Sequence, residues 1–350
     1  AAKEIENQTK TVVAVYRQIQ VALSLFDISR TAAEDHANDG FWIHQVDNAS
    51  NIFRARQPWG TSDPLWNFTD SGARNYWLNN FTAELCAERQ EDEAFSAVYF
   101  DEIDDNWCGY WGNATHDGVY IDNATQVEHA KADYTLYRSM VQQLNDCGIV
   151  PILATFSVMQ ASTGHGIDPT NPCVMWEDDL VTALDGLQWA RFYEQWPDQF
   201  HMRQPGAKTG DRFAQIIANG ILESEAGIPV VAHVTPHNNP CQSPASEGTT
   251  PTQSKSTYVP TGMDAFQMAA FYIAQGAGWV WGASTGWTDD SFCWREEYDL
   301  RCGHPLAPAS RTGPYTFVRN FTGCDVFVNT NCVNCTNVTD GLYGEIRLKQ

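Results

Sequence analysis

Four carboxylates fall within five positions where an apolar run ends: Val98-Tyr99-Phe100 leads into Asp101, Glu102, Asp104 and Asp105. A β-branched and aromatic run of this kind reads as a buried strand. The acids then sit at its carboxyl end, the face on which parallel α/β architectures hold their ligands. Like charges this close raise the pKa of at least one neighbour, as a general acid working near neutrality requires. Asp101 is the residue expected to point into the mouth of the fold, with Glu102 a second catalytic candidate and Asp104 a substrate contact. A calcium site or a plain solvated acidic loop would use the same residue types.

Cleavage of a glycosidic bond takes two carboxylates, an acid and a base or nucleophile. Glu223 is the first candidate for the second, because it follows Ile216-Ile217-Ala218-Asn219-Gly220-Ile221-Leu222, read here as the end of a strand; Glu225 stands in reserve. The same segment read as a helix would make both of them ordinary exposed glutamates. His233 closes the run Pro229–Val234 and His44 follows Phe41 and Trp42; both could bind sugar hydroxyls, or serve as hydrogen-bonded packing residues. Tyr16 and Arg17 add a phenol and a guanidinium at the end of the first visible strand. Trp287, in the loop after Gly278–Gly282, suits stacking on a sugar ring. No third ligand with recognisable spacing accompanies the histidines, so neither a metal nor another cofactor is expected.

Short β-branched or aromatic runs alternating with amphipathic stretches must position these residues. Strands are expected at Val12–Tyr16, Phe41–His44, Ala97–Asp101, Val150–Phe156, Phe213–Leu222, Pro229–Val234 and Gly278–Gly282, with helices at Ala73–Glu88, Ala130–Asp146, Asp178–Gln195 and Met263–Gly276. This is the pattern of a TIM-type (β/α)8 barrel, but a strand is missing for closure, and the missing one should be the first. Strand donation by another chain would fill such a gap. The barrel is expected over residues 1–313, with a Ser/Thr/Pro-rich loop at 242–262. A Cys-rich β appendage is expected over residues 314–350.

Nine Asn-X-Ser/Thr sequons occur, at Asn7, Asn48, Asn67, Asn80, Asn113, Asn123, Asn320, Asn334 and Asn337, where random placement gives roughly three. Ten cysteines, Cys86, Cys108, Cys147, Cys173, Cys241, Cys293, Cys302, Cys324, Cys332 and Cys335, form no metal signature and read as five disulfides; Cys293 to Cys302 is the easiest local bridge to imagine. The formal charge of −22 repels nucleic acid and anionic lipid alike. No apolar run approaches the length of a membrane span, and Ala1–Lys10 is too polar for a signal peptide, so the sequence looks processed or trimmed. The expectation is a secreted or cell-surface glycoprotein with no nucleic-acid partner and no membrane insertion.

Several stretches together resemble the glycoside-hydrolase-like (β/α)8 barrels of secreted eukaryotic-type glycoproteins: residues 12–24, 64–81, 98–105, 219–233, 269–287 and 297–321. The resemblance implies a barrel with an acidic, carbohydrate-binding mouth in which Asp101 matches the strand-end aspartate and Glu223 a matching glutamate. Its partner would be a polysaccharide or glycan. A catalytically lapsed glycoprotein that self-assembles into an extracellular filament, sheath or coat would show the same secretory features, and so would a sugar-binding module without turnover.

Overall fold

A computed structural model describes residues 14–36, 40–44, 52, 54–56, 62–91, 95–101, 123–154, 181–193, 196–197, 210–234, 262–283, 300–332 and 341–349. The chain divides into two compact units: Ala1–Gln160 with Asp168–Arg191, and Ala161–Ile167 with Phe192–Gln350. Gly262 is described and is helical, while Glu102, Asp104, Trp287 and residues 242–261 of the expected loop 242–262 lie outside the described residues. So do Asn7, Asn48, Asn113, Asn334, Asn337, Cys108, Cys173, Cys241, Cys293 and Cys335.

In the first unit, Ala14–Gln18 (β1) precedes a helix at Asp27–Asp35 (α1) and a short antiparallel pair, Arg54–Arg56 (β2) with Ser62–Pro64 (β3). Ser71–Trp77 (α2) runs through a π-helical turn at Leu78–Thr82 into Ala83–Glu91 (α3). Asp70 starts this helix as its N-cap, its carboxylate accepting from the Ala73 amide at 2.9 Å. Ala97–Asp101 (β4), Asn123–Asp146 (α4) and Val150–Ala154 (β5) follow. The strands lie in the order β1-β4-β5 and pair in parallel.

Strand alternation divides β4 cleanly. Val98 and Phe100 are fully buried, and Phe100 lies against Trp77 of α2 with ring centroids 6.0 Å apart. Tyr99 and Asp101 take the opposite face and are half-buried. An aromatic core of Trp42, Trp66, Phe68, Trp77 and Phe81 backs the strands, each ring almost fully withdrawn from water. Rings of this size dominate core energetics, and they fix where the carboxyl ends of β1 and β4 lie. A disulfide between Cys86 of α3 and Cys147, just past α4, closes a separation of 61 residues.

Ala190–Tyr193 (β6) spans the division between the units. The second unit continues with Gly210–Glu225 (α5), Val230–Val234 (β7), Gly262–Ala274 (α6) and Val280–Ala283 (β8), the strands following the order β6-β7-β8 with β7 and β8 parallel. A separate antiparallel sheet is built from Ser310–Gly313 (β9), Thr316–Asn320 (β10), Cys324–Asn329 (β11) and Tyr343–Leu348 (β12) in the order β12-β11-β10-β9. Its inner face packs on α6 at very close range: a Cβ on Gly344 would come within 2.5 Å of the Phe266 Cα. Arg319 of β10 caps the end of α6, donating to the Tyr272, Ile273 and Gln275 carbonyls at 3.1, 3.1 and 2.6 Å. A cation at a helix C-terminus also meets the negative end of its dipole.

The fold class is therefore α/β, with parallel strands and a separate antiparallel sheet; the described strands form open series, and a closed eight-stranded cylinder is not shown among them. Three expected elements are corrected. Phe213–Leu222 is helical: Phe213, Ile216, Ile217 and Glu223 are buried while Leu222 is 50% exposed, a period of three to four rather than two. The segment expected as one helix over Asp178–Gln195 instead contains β6. Phe41–His44 forms isolated antiparallel bridges, Trp42 with Trp66 and His44 with Ile52, not a strand of the parallel sheet.

Candidate functional site

Asp101 is the last residue of β4, and in the parallel register it lies beside Gln18, the last residue of β1. Tyr16 and Tyr99 are paired one step back on the same face. The Tyr16 hydroxyl reaches forward and donates to Asp101 Oδ2 at 2.9 Å. Its ring stacks with Tyr99 and Phe26, with centroids 5.9 and 6.3 Å away and planes within about 25° of parallel to both. Tyr16 nevertheless remains 41% exposed. The result is a half-open aromatic bed with a carboxylate at its end. Its flat apolar faces and one oriented acid match the amphipathic surface of a sugar ring.

Arg17 alternates to the other side of β1. Burial holds its pKa below the usual arginine range, opposed by the Glu88 and Glu84 carboxylates of α3. It also donates to the Tyr16 carbonyl at 3.0 Å and lies 5.5 Å over the Phe26 ring. Tyr16 and Arg17, expected at one rim, are therefore split between the two faces of the strand. His44 is half-buried and sits in an isolated antiparallel bridge to Ile52, not at the end of a parallel strand as expected.

In the second unit, His233 is the penultimate residue of β7, half-buried, with its ring stacked on Phe192 at 6.0 Å. Its carbonyl accepts from the Trp196 amide at 2.7 Å. Glu223 takes a different place from the one expected. It lies in the last turn of α5 rather than at a strand end, is only 3% exposed, and accepts from the Tyr193 hydroxyl at 2.9 Å. Tyr193 and Phe192 are consecutive in β6, so they point to opposite faces. Glu223 thus belongs with the helix-covered side of β6, not with the side that carries Phe192 and His233. The expectation that it ends a strand is overturned, and with it the geometric basis for pairing it with Asp101.

Tyr99, Gln18 and Phe192 were not singled out from the sequence. Tyr99 could have been found from the two-residue period that places it on Asp101's face. Phe192 was hidden because its strand was taken for helix. Among the described residues, no group of three or more His, Cys, Asp or Glu could hold a metal ion, and no helix is long and apolar enough to cross a membrane.

The described sequons differ in setting. Asn67 is half-buried, its amide donating to the Gly40 carbonyl at 2.9 Å, and Asn80 is half-buried, donating to the Tyr76 carbonyl at 2.8 Å. Asn320 is exposed at the end of β10, and Asn123 opens α4. Cys86 bonds Cys147, Cys302 bonds Cys324, and Cys332 is also in a disulfide; no described cysteine is free. The bridge from Cys293 to Cys302 is therefore corrected: Cys302 closes on Cys324, which lies opposite it at the start of β11.

No protein-family model matches the chain, and no curated protein is significantly similar to it. Among solved structures, the chain is similar to the glycoside hydrolase domain of PelA from Pseudomonas aeruginosa, at 13% identity over 81% of each chain with a TM-score of 0.44. It is also similar to Aspergillus fumigatus Ega3 in complex with galactosamine, at 12% identity over 70% of each chain with a TM-score of 0.35. A cycloalternan-degrading enzyme from Trueperella pyogenes is matched at 12% identity, over 65% of this chain and 26% of that one, with a TM-score of 0.32. All three scores lie below 0.5, and no site or activity passes from these proteins to this chain.

Proposed function

We propose that this chain is a secreted, N-glycosylated protein acting on a polysaccharide, with Asp101 as a carboxylate of a glycoside-hydrolase-type site in a (β/α)8-type barrel. One observation carries the reading: Asp101 closes a parallel strand and is held by the Tyr16 hydroxyl at 2.9 Å on an exposed aromatic bed. Ligands of parallel α/β folds gather at the carboxyl ends of strands.

Hydrolysis needs one carboxyl to protonate the leaving oxygen and another to activate water or attack the anomeric carbon. Glu102 and Asp104, next along the chain from Asp101, are the partners this reading favours; Glu223, buried against Tyr193, is not. Tyr16 is a positioning residue, its hydroxyl orienting the carboxylate, and Tyr99 extends the platform on which a sugar ring would lie. Secretion is supported by the two fully described disulfides and by nine sequons.

The test is release of reducing ends from a panel of polysaccharides by the chain made in a secretory host. Wild type is expected to be active. Asp101→Asn should lower the rate by about three orders of magnitude or more, the scale of removing an acid–base or nucleophilic group. A wild type that neither binds nor cleaves any of them would end the proposal.

A further inference from the structure

The antiparallel sheet buries one face on α6 and leaves the other to solvent. Register sets the exposed face: Val318 lies beside Phe327 and Asn320 beside Asp325 on β10 and β11, and Phe327 lies beside Glu345 and Asp325 beside Arg347 on β11 and β12. Together with Tyr343, these side chains line a concavity of about 340 Å³. That is close to the lower end of small-ligand sites, which run from roughly 300 to 1,000 Å³.

The charges on this face are already matched. Arg347 forks onto Glu345 with two bonds of 2.7 Å, and Lys349 pairs with Asp325 at 2.8 Å. What remains uncovered is an apolar floor of Val318, Phe327 and Tyr343, the two rings 5.9 Å apart and Tyr343 47% exposed. The rings and their polar rim together form a small amphipathic surface.

The rim itself carries a candidate occupant. Asn320 is the acceptor residue of the sequon Asn320-Phe321-Thr322 and lines this concavity. Phe321 is buried, which anchors the sequon while Asn320 faces outward. Phe327 is its diagonal neighbour on the adjacent strand, a Cα separation of roughly 7–8 Å. A sugar joined to the Asn320 amide starts within reach of that ring.

We infer that an N-linked glycan on Asn320 folds back onto this face, its first N-acetylglucosamine residues resting on Phe327 and Tyr343. The apolar face of the sugar covers the rings, and its hydroxyl and acetamido groups meet the Asp325, Glu345 and Arg347 rim. Attachment removes most of the entropy cost of association, because the ligand is held at high effective concentration. The inference rests on the reading of the chain as an N-glycosylated secreted protein, and it is independent of Asp101.

The experiment uses the full chain from a secretory host. Mass spectrometry of peptides reports occupancy at each sequon, and thermal unfolding compares wild type, Asn320→Gln, Tyr343→Ala and the double variant. Asn320 should carry N-acetylglucosamine. Each single variant should lower the midpoint by a few degrees, and the double variant should lose clearly less than the two losses added. Trimming the glycans to one N-acetylglucosamine with an endoglycosidase should keep most of the effect. Strictly additive losses, or an unoccupied Asn320 alongside other occupied sequons, would overturn the inference and leave the secretory reading standing. If no sequon is occupied, both fall.

Discussion

Tyr16 and Asp101 form a contact between residues 85 positions apart in sequence, and the rest of the candidate site is arranged around it. The hydroxyl orients the carboxylate, and the ring stacks with both Tyr99 and Phe26. Tyr16→Phe should therefore keep the fold and lower kcat by about tenfold, with a smaller change in KM, because it removes orientation rather than the stacking surface. A second residue-scale prediction concerns His129 on α4, whose burial pushes its pKa down to about 4 from the ordinary histidine value of 6.5. The folded chain keeps it neutral where the unfolded chain takes up a proton. Its contribution is thus fully present above pH 6.5 and is lost as pH falls towards 4, on the order of 3 kcal/mol in all. His129→Gln should flatten that part of the stability profile, measured as unfolding free energy against pH.

At the scale of elements, helix ends explain what the sequence conceals and reveals. α4 and α5 stop in the same way. Gly148 and Gly227 both adopt φ near +75°, and the following Ile149 and Ile228 amides bond back to the Leu144 and Glu223 carbonyls. This is the Schellman arrangement, and Gly is the residue that enters it without strain. The Gly-Ile pair after Ser224-Glu225-Ala226 was therefore a readable helix stop, and it outweighs the strand-like look of Phe213–Leu222. Strands β4, β5, β7 and β8 were legible because each is a short run rich in β-branched, aromatic or other apolar residues. β6 was not, because a buried Arg191 breaks its short apolar run. Likewise Asp101's place at a strand end was legible from local sequence, whereas its Tyr16 partner on the same face depends on a register between distant strands.

Within α5, Gly220 has a packing role: a Cβ there would lie 2.7 Å from Trp196 and 3.0 Å from both Ala274 and Trp279. Gly220→Ala gains about 1 kcal/mol of helix propensity but forces two indoles apart, an overpacking cost of roughly 1–3 kcal/mol. We expect a net loss of stability in urea unfolding, with partial recovery when Trp279 is reduced to Phe.

For the whole molecule, the dominant features are the covalent ties and the acidic surface. The Cys86–Cys147 bridge closes 61 residues and Cys302–Cys324 closes 22. Chain entropy alone assigns them about 4 and 3 kcal/mol, so the Cys86→Ser/Cys147→Ser double variant should unfold at lower denaturant than its Cys302→Ser/Cys324→Ser counterpart. A formal charge of −22 fits an uncharged or cationic polysaccharide better than an anionic one. Saccharide chemistry at Asp101 is tested most directly by the turnover of wild type and Asp101→Asn side by side, both shown to be folded by their unfolding midpoints. It predicts reducing ends from wild type and a loss of about a thousandfold or more in the variant. Equal turnover in the two would contradict it.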